Sequence, residues 1–144
     1  MSTHGPERSR GSVLMLMPAG ALIVLLLGAI AFDLSLVFLR QRQASSLAAD
    51  VANDLASVAL DVPTFRASGA FELDPRRADA VGRALLDASD LADELTSATI
   101  TVDGTDTVTV RVIVSVDYVF AKAIPGAADG TTVTASATAV ATPG

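Results

Sequence analysis

Residues 12–32 read SVLMLMPAGALIVLLLGAIAF, and this stretch decides the fold. It contains no charged residue, and about 20 apolar residues in a helix are enough to cross the hydrocarbon core of a bilayer. The apolar character continues past Asp33 as far as Leu39. The sequence therefore predicts a transmembrane helix over residues 12–39.

The following segment, residues 40–61, reads RQRQASSLAADVANDLASVALD. It is still rich in helix-forming residues, but its apolar residues recur on one face only. Spacings of three and four residues are typical of an amphipathic helix. We therefore expect one continuous rod of roughly 70 Å, ending near residue 60, whose outer half carries a folded domain over residues 40–144. The helix-packing face of this amphipathic segment consists of Ala44, Ala48, Val51, Ala52 and Leu55.

A second, shorter helix is predicted after a loop over residues 63–73. Asp74 is a favourable N-cap, and Pro75 fits the first helical position, where no backbone N–H is needed. The helix is expected to end between residues 89 and 95. Its predicted inward face consists of Ala78, Val81, Ala84 or Leu85, and Ala88. The acidic residues at its end lack the spacing of a calcium loop, which favours a solvated surface.

From Ser97 the apolar period changes from 3.6 to 2, which predicts strands. Ile100 lies in the first strand, a run of alternating valines from Val108 forms the second, and a third over residues 132–139 has an inner face of Val133 and alanines. Keeping the apolar residues on one face requires an odd-length connection after Asp103, which sets Ile100 opposite Val108 or Val110. We predict an α+β fold in which about three antiparallel strands cover the outer half of the long helix.

The composition excludes several kinds of site. The chain has no cysteine, which removes disulfides, zinc–thiolate clusters and thiol nucleophiles, and its single histidine, His4, lies in a polar tail. We expect no enzyme activity, no cofactor and no metal. Of the net charge of −6, about −8 falls after Ala44, because four arginines precede it against Glu7 and Asp33. An acidic domain of this kind is a poor partner for nucleic acid.

The orientation in the membrane does not follow from charge alone. Two arginines flank each end of the apolar run, so the positive-inside rule gives no preference. A short tail over residues 1–11 and a larger folded domain favour a cytoplasmic N-terminus and an extracytoplasmic C-terminal domain. Gly20 and Gly28 would permit a second helix to approach closely, although they are equally explained as ordinary glycines of a span.

Two further alternatives stay open. Asp33 is a carboxylate near the end of the apolar run, where it either has a structural or interfacial position or makes an intramembrane polar contact with another subunit. The segment Ala29-Ile30-Ala31 also fits a signal-peptidase site. Cleavage after Ala31 would release a secreted, soluble binding module instead of an anchored protein.

The arrangement of Arg10-Gly11-Ser12, an apolar helix, Asp33 and then Ala48-Ala49-Asp50-Val51-Ala52 resembles the TadE/TadG-like pilus-assembly proteins. The resemblance is clearest over residues 8–60, and the later segments are similar to actinobacterial members. These are pilin-like components of tight adherence, or Flp-type, pili. The resemblance implies a candidate prepilin-type cleavage between Gly11 and Ser12. Prepilins carry a glutamate at the fifth mature position, whereas Leu16 stands there in this chain.

The resemblance implies a function in assembly rather than in turnover. The expected protein is a single-pass component of the cell membrane, or of the cell surface, that contacts lipid and other pilus or secretion-system subunits. Homo- or hetero-oligomers are expected to form by packing of the long helix against neighbouring helices.

Overall fold

The computed structural model describes residues 10–58, 62–69 and 72–141. Side chains are described from residue 16 onward, except that of Val62. Helix α1 runs without interruption from Arg10 to Val58, a length of about 73 Å. This confirms the prediction that the apolar and amphipathic segments form one helix across Arg40. Most of the predicted tail lies outside the described residues, and Gly11 and Ser12 are described only as backbone of the first turn of α1.

Helix α2, Val62–Ser68, occupies part of the segment that the sequence predicts as a loop, so that prediction is wrong. Pro63 was expected to stop helical structure, but it lies at the start of a new helix, where its missing N–H costs nothing. Gly69 ends this helix with a positive φ of 70°, and its N–H donates to the carbonyl of Phe65 at 2.8 Å. This is the usual glycine termination of a helix.

Helix α3 runs from Pro75 to Asp87, a little shorter than predicted, and begins as expected. The Asp74 carboxylate accepts hydrogen bonds from the N–H groups of Arg76 and Arg77 at 2.9 and 3.4 Å. The buried residues of α3 are Ala78, Gly82 and Leu86, with Val81 and Leu85 partly buried, whereas Ala84 and Ala88 are exposed. The predicted inward face is therefore correct for Ala78, Val81 and Leu85 and wrong for Ala88, which lies just past the last helical residue.

Three antiparallel strands follow in the order β1-β2-β3. They are Leu95–Asp103, Thr107–Asp117 and Gly130–Val140. Two short 3₁₀ helices join these elements, Ala92–Glu94 before β1 and Ala121–Ala123 between β2 and β3. The predicted α+β fold with a long helix, further helices and a three-stranded sheet is confirmed.

The hairpin between β1 and β2 has the predicted register. Asp103 pairs with Thr107, and Ile100 pairs with Val110. Gly104 provides the positive φ of 70° that the three-residue connection needs. The tendency of Asp-Gly to form a two-residue turn therefore yields to the requirement that apolar side chains share one face.

The core lies between the sheet and the outer half of α1. Five alternating valines of β2 are buried with at most 4% of their surface exposed, from Val108 to Val116. Strand β3 presents alanine beside them, as in the pair Val112 and Ala135. Helix α1 packs most extensively against β3. Small side chains on both surfaces let the helix and the strand approach closely, as the sequence predicts.

We expect Ala48→Leu to destabilise the domain, because Ala48 has no exposed surface and the added carbons would force α1 and the sheet apart. Overpacking of this kind costs about 1–3 kcal/mol. The measurement is hydrogen exchange of the β2 amides in the full chain in detergent micelles. Ser45→Leu, on the exposed side of the same helix, is the matched control. Equal exchange in the two variants would contradict the packing described here.

Candidate functional site

Most of the inner half of α1, the part before Asp33, is not covered by any other described part of the chain. Most large apolar side chains between residues 16 and 34 expose roughly half or more of their surface, from 47% at Phe32 to 82% at Met17. Among the described residues α1 is the one helix that is long and apolar enough to cross a membrane, and almost none of its most apolar window is buried. Exposed apolar surfaces of this extent usually mark a contact with another protein or with a membrane. The inner half of α1 is a candidate membrane span.

Asp33 lies where the uncovered part of α1 meets the folded domain. Only 5% of its surface is exposed. Its Oδ1 accepts hydrogen bonds from the N–H groups of Val119 at 2.9 Å and Phe120 at 3.2 Å, and its Oδ2 accepts from Phe120 at 3.2 Å and Ala121 at 2.8 Å. Three successive backbone donors thus converge on one carboxylate.

These donors belong to the start of the 3₁₀ helix Ala121–Ala123, whose own N-cap residue, Phe120, makes no capping hydrogen bond with its side chain. The first N–H groups of a helix have no partner within it, and a carboxylate is a favourable acceptor for them. Asp33 therefore caps this turn from a different element, 86 to 88 residues earlier in the chain. The charge of Asp33 is compensated by hydrogen bonds instead of by water.

An aromatic contact reinforces the same junction. The rings of Phe32 and Phe120 meet edge to face with centroids 5.4 Å apart and an interplanar angle of 88°. Of the two alternatives for Asp33, the structure shows a structural contact within the chain. The partners of Asp33 could not be predicted from the sequence, because they are backbone N–H groups, which every residue except proline carries. The alternating pattern of the sequence extends the second strand to Phe120, whereas β2 ends at Asp117 and Phe120 lies in the connection that follows it.

The predicted helix-packing face is buried under the chain's own sheet. Each of its five residues has at most 3% of its surface exposed, and together with the valines of β2 they form the core; they are Ala44, Ala48, Val51, Ala52 and Leu55. This face is therefore already occupied within one chain. The apolar surface of α1 that no other described part of the chain covers lies in its inner half.

One side of that inner half faces away from the domain. Gly20, Val24 and Gly28 follow one another at intervals of four residues, and Val24 precedes Asp33 by nine, which places it about 180° around the helix axis. A Cβ atom added at Gly20 or Gly28 would meet nothing within 4 Å. The two glycines are thus not required by contacts within the described part of the chain.

A second polar link joins α1 to the domain about two turns beyond Asp33. Arg40 donates to Glu94 Oε1 at 2.6 Å across 54 residues, and to Gln43 at 3.0 Å. Both side chains of the ion pair are about one-third exposed, and Glu94 Oε2 is buried without a hydrogen-bond partner among the described residues. Glu94, predicted as part of a solvated acidic surface, is instead half of this pair.

The described residues contain no group of three or more His, Asp or Glu side chains placed to hold a metal ion. A surface depression of about 360 Å³ lies between α1 and the end of α3 and is lined partly by Arg40. Its other polar lining residues are Gln43, Ser46, Asp50, Ser89 and Asp90, which together are not a recognisable set of catalytic groups. The most distinctive arrangement in this structure is the junction at Asp33.

We expect Asp33→Asn to free the turn at residues 119–121, because an amide accepts with one oxygen where the carboxylate accepts with two. Hydrogen bonds to charged acceptors are strong enough that their loss should accelerate amide exchange at these residues by at least about tenfold. The measurement is hydrogen exchange with mass spectrometry on the full chain in detergent. Asp129→Asn, an exposed carboxylate of the same connection, should leave the exchange unchanged. Unchanged exchange in Asp33→Asn would contradict the capping role.

We expect the Arg40–Glu94 pair to stabilise the domain more than the surface pair Arg83–Asp79. A double-mutant cycle with Arg40→Met and Glu94→Gln, followed by amide exchange, should give a coupling free energy of about 0.5–1 kcal/mol. The fold holds both groups of this pair in place, whereas Arg83 and Asp79 are neighbours on an exposed helix surface. A coupling no larger than that of the Arg83→Met and Asp79→Asn cycle would contradict this expectation.

The Arg83 guanidinium, hydrogen-bonded to Asp79, lowers the pKa of that carboxyl group. The contribution of this control pair is therefore present above the ordinary carboxyl pKa and is lost as the pH falls through the lowered one. The two cycles are best compared near neutral pH, where both pairs are charged.

Comparison of the chain with protein-family models, with curated proteins and with solved structures found no match. The functional assignment therefore rests on the geometry of this chain. Three features of the structure support an assignment. The first part of α1 is apolar, mostly uncovered and long enough to span a membrane, and the sheet packs on the continuation of the same helix. The carboxylate of Asp33 lies at the boundary between these two parts of α1.

Proposed function

We propose that this protein is a single-pass, membrane-anchored, pilin-like component of a tight adherence pilus or a related secretion system, and that it acts by assembly rather than by catalysis. The observation that carries the proposal is the inner half of α1. It is long enough to span a bilayer, and almost none of its most apolar window is buried. The resemblance of residues 8–60 to TadE/TadG-like proteins supports the choice of system.

The proposal includes an orientation. The sheet and α3 both follow α1 in the chain, so they lie on the same side of the membrane. The proposed arrangement has the tail in the cytoplasm and the acidic domain outside the membrane. The domain is rigidly attached, because the helix that spans the lipid is also the helix on which the sheet packs.

The assembly surface is the side of α1 that carries Gly20, Val24 and Gly28. Association of helices within a membrane depends on close packing, and small residues at the contact permit it. This side points away from the domain, so a neighbouring helix could approach without meeting the sheet. The packing face of the outer half cannot serve this purpose, because the chain's own strands cover it.

The proposal predicts contacts with other subunits through Val24. Since the chain has no cysteine, single cysteines can be introduced without background. We expect Val24→Cys to form crosslinks with other pilus subunits in membranes of cells that produce the assembly system. Leu26→Cys, at nearly the same depth but on the side of Asp33, is the matched control and should crosslink much less.

Two outcomes would count against assembly through this face. One is a Val24→Cys protein that remains uncrosslinked under all oxidising conditions. The other is equal crosslinking of the two variants, which would indicate random collision in the membrane. Identification of the crosslinked chains by mass spectrometry separates homo-oligomers from contacts with other subunits.

The mass of the mature N-terminus distinguishes this function from the secreted alternative. An intact chain, or one beginning at Ser12, retains the span and agrees with anchoring. A chain beginning at Phe32 has lost the span. This result would contradict the proposed membrane anchor and would favour a soluble binding module. The apolar run also continues past Ala31 as far as Leu39, which suits a retained span better than a signal peptide.

A further inference from the structure

The connection between β2 and β3 exposes large apolar side chains at the base of the domain. Val119, Phe120 and Ile124 expose 47%, 46% and 52% of their surfaces, within six residues. We call residues 119–124 the apolar loop. Three such side chains close together are unusual on the surface of a small acidic domain and indicate a surface that is covered in use.

The apolar loop extends along α1 toward the candidate span. Its residues Phe120, Ala123 and Ile124 line a groove of about 260 Å³ whose other wall includes Leu26 and Ile30 of α1. These two residues precede Asp33 by seven and three positions, or roughly 5–10 Å along the helix axis. The loop therefore reaches past Asp33, away from the domain and beside the apolar half of α1.

The backbone of the loop suits an environment without water. The N–H groups of Val119, Phe120 and Ala121 donate to Asp33, those of residues 118, 123 and 124 donate to backbone carbonyls, and residue 125 is proline. Within a bilayer each backbone polar group needs a partner from the protein. Nearly every donor of this connection from Tyr118 to Pro125 has one.

The position of Asp33 fits the edge of the hydrocarbon core. The charge-free run over residues 12–32 has a helical length of about 31 Å, close to the roughly 30 Å thickness of that core. If the run fills the core, Asp33 lies at its outer edge and the apolar loop lies beside the last two turns of the span. Lys122, exposed within the loop, could then direct its ammonium group to lipid phosphates while its stem remains in apolar surroundings.

From this geometry we infer that the apolar loop inserts into the outer leaflet of the membrane, so that the domain rests on the lipid surface and acyl chains cover the groove between the loop and α1. We assign lipid as the occupant because one wall of the groove belongs to the proposed span. Acyl chains that surround Leu26 and Ile30 would also contact Phe120 and Ile124, which line the same groove. This inference rests on the proposed anchoring. It places the end of the lipid-covered helix at Asp33, six residues before Leu39.

The test uses tryptophan fluorescence, because the chain has no tryptophan of its own. The full chain carrying Phe120→Trp or Ile124→Trp is reconstituted in phosphatidylcholine vesicles with or without bromine on the acyl chains. Two variants are used so that a loss of the Phe32–Phe120 contact in one does not decide the result. Leu25→Trp reports on insertion of the span. Val140→Trp, exposed at the opposite end of β3 from Gly130, is the control outside the lipid.

We expect bromine near the headgroup end of the acyl chains to quench Phe120→Trp and Ile124→Trp at least about twofold, together with blue-shifted emission, and to leave Val140→Trp unchanged. Quenching of Leu25→Trp alone would overturn the inference while leaving the anchor intact. Quenching of none of the variants would show that the span itself does not insert, and the proposed function would fail as well. Quenching at residues 120 and 124 that disappears as protein is added at constant lipid would show that a second copy covers the loop, and would also overturn the inference.

Discussion

The structure depends on one constraint: the two halves of a single unbroken helix lie in different surroundings. The outer half of α1 is covered by the chain's own sheet, and most of the inner half is left uncovered by the described residues. A continuous helix cannot place these halves independently. The sheet, the helix α3 and the connection after β2 all take their positions from the line of α1.

Asp33 marks the change between these two surroundings. A carboxylate at the end of an apolar segment would ordinarily be costly, yet here it accepts from three backbone N–H groups of another element. Arg40 adds a second polar link on the same side of the helix. The domain is therefore held to α1 by apolar packing along most of the contact and by directed polar bonds at the end nearer the span.

The elements of the fold could be predicted because their causes are local or periodic. The N-cap at Asp74, the valines of β2 and the odd connection after Asp103 each follow from residue identity and spacing. Helix α2 was missed because Pro63 permits a helix to begin as readily as it ends one. The five packing residues of α1 were identified correctly as a face because their spacing is helical, and the alanines of the third strand predicted that the sheet would pack closely on that face.

The junction at Asp33 could not be predicted in the same way. Its partners are backbone N–H groups nearly ninety residues later in the chain, and every residue type except proline has such a group. The position of the apolar loop depends on where the end of β2 falls relative to α1, which is a consequence of register and packing rather than of any motif. Sequence reasoning could indicate that Asp33 was unusual, but not what it contacts.

The absence of glycine and proline between Ala29 and Val58 makes α1 a lever. The part of the helix beyond Asp33 is about 38 Å long. A tilt of about 20°, common for membrane helices, would carry Val58 sideways by roughly 13 Å. If the inner half of α1 spans a bilayer as proposed, a pulling force on the sheet would reach the span with no hinge to absorb it, and the angle of the helix in the bilayer and the direction in which the domain points would be a single mechanical variable.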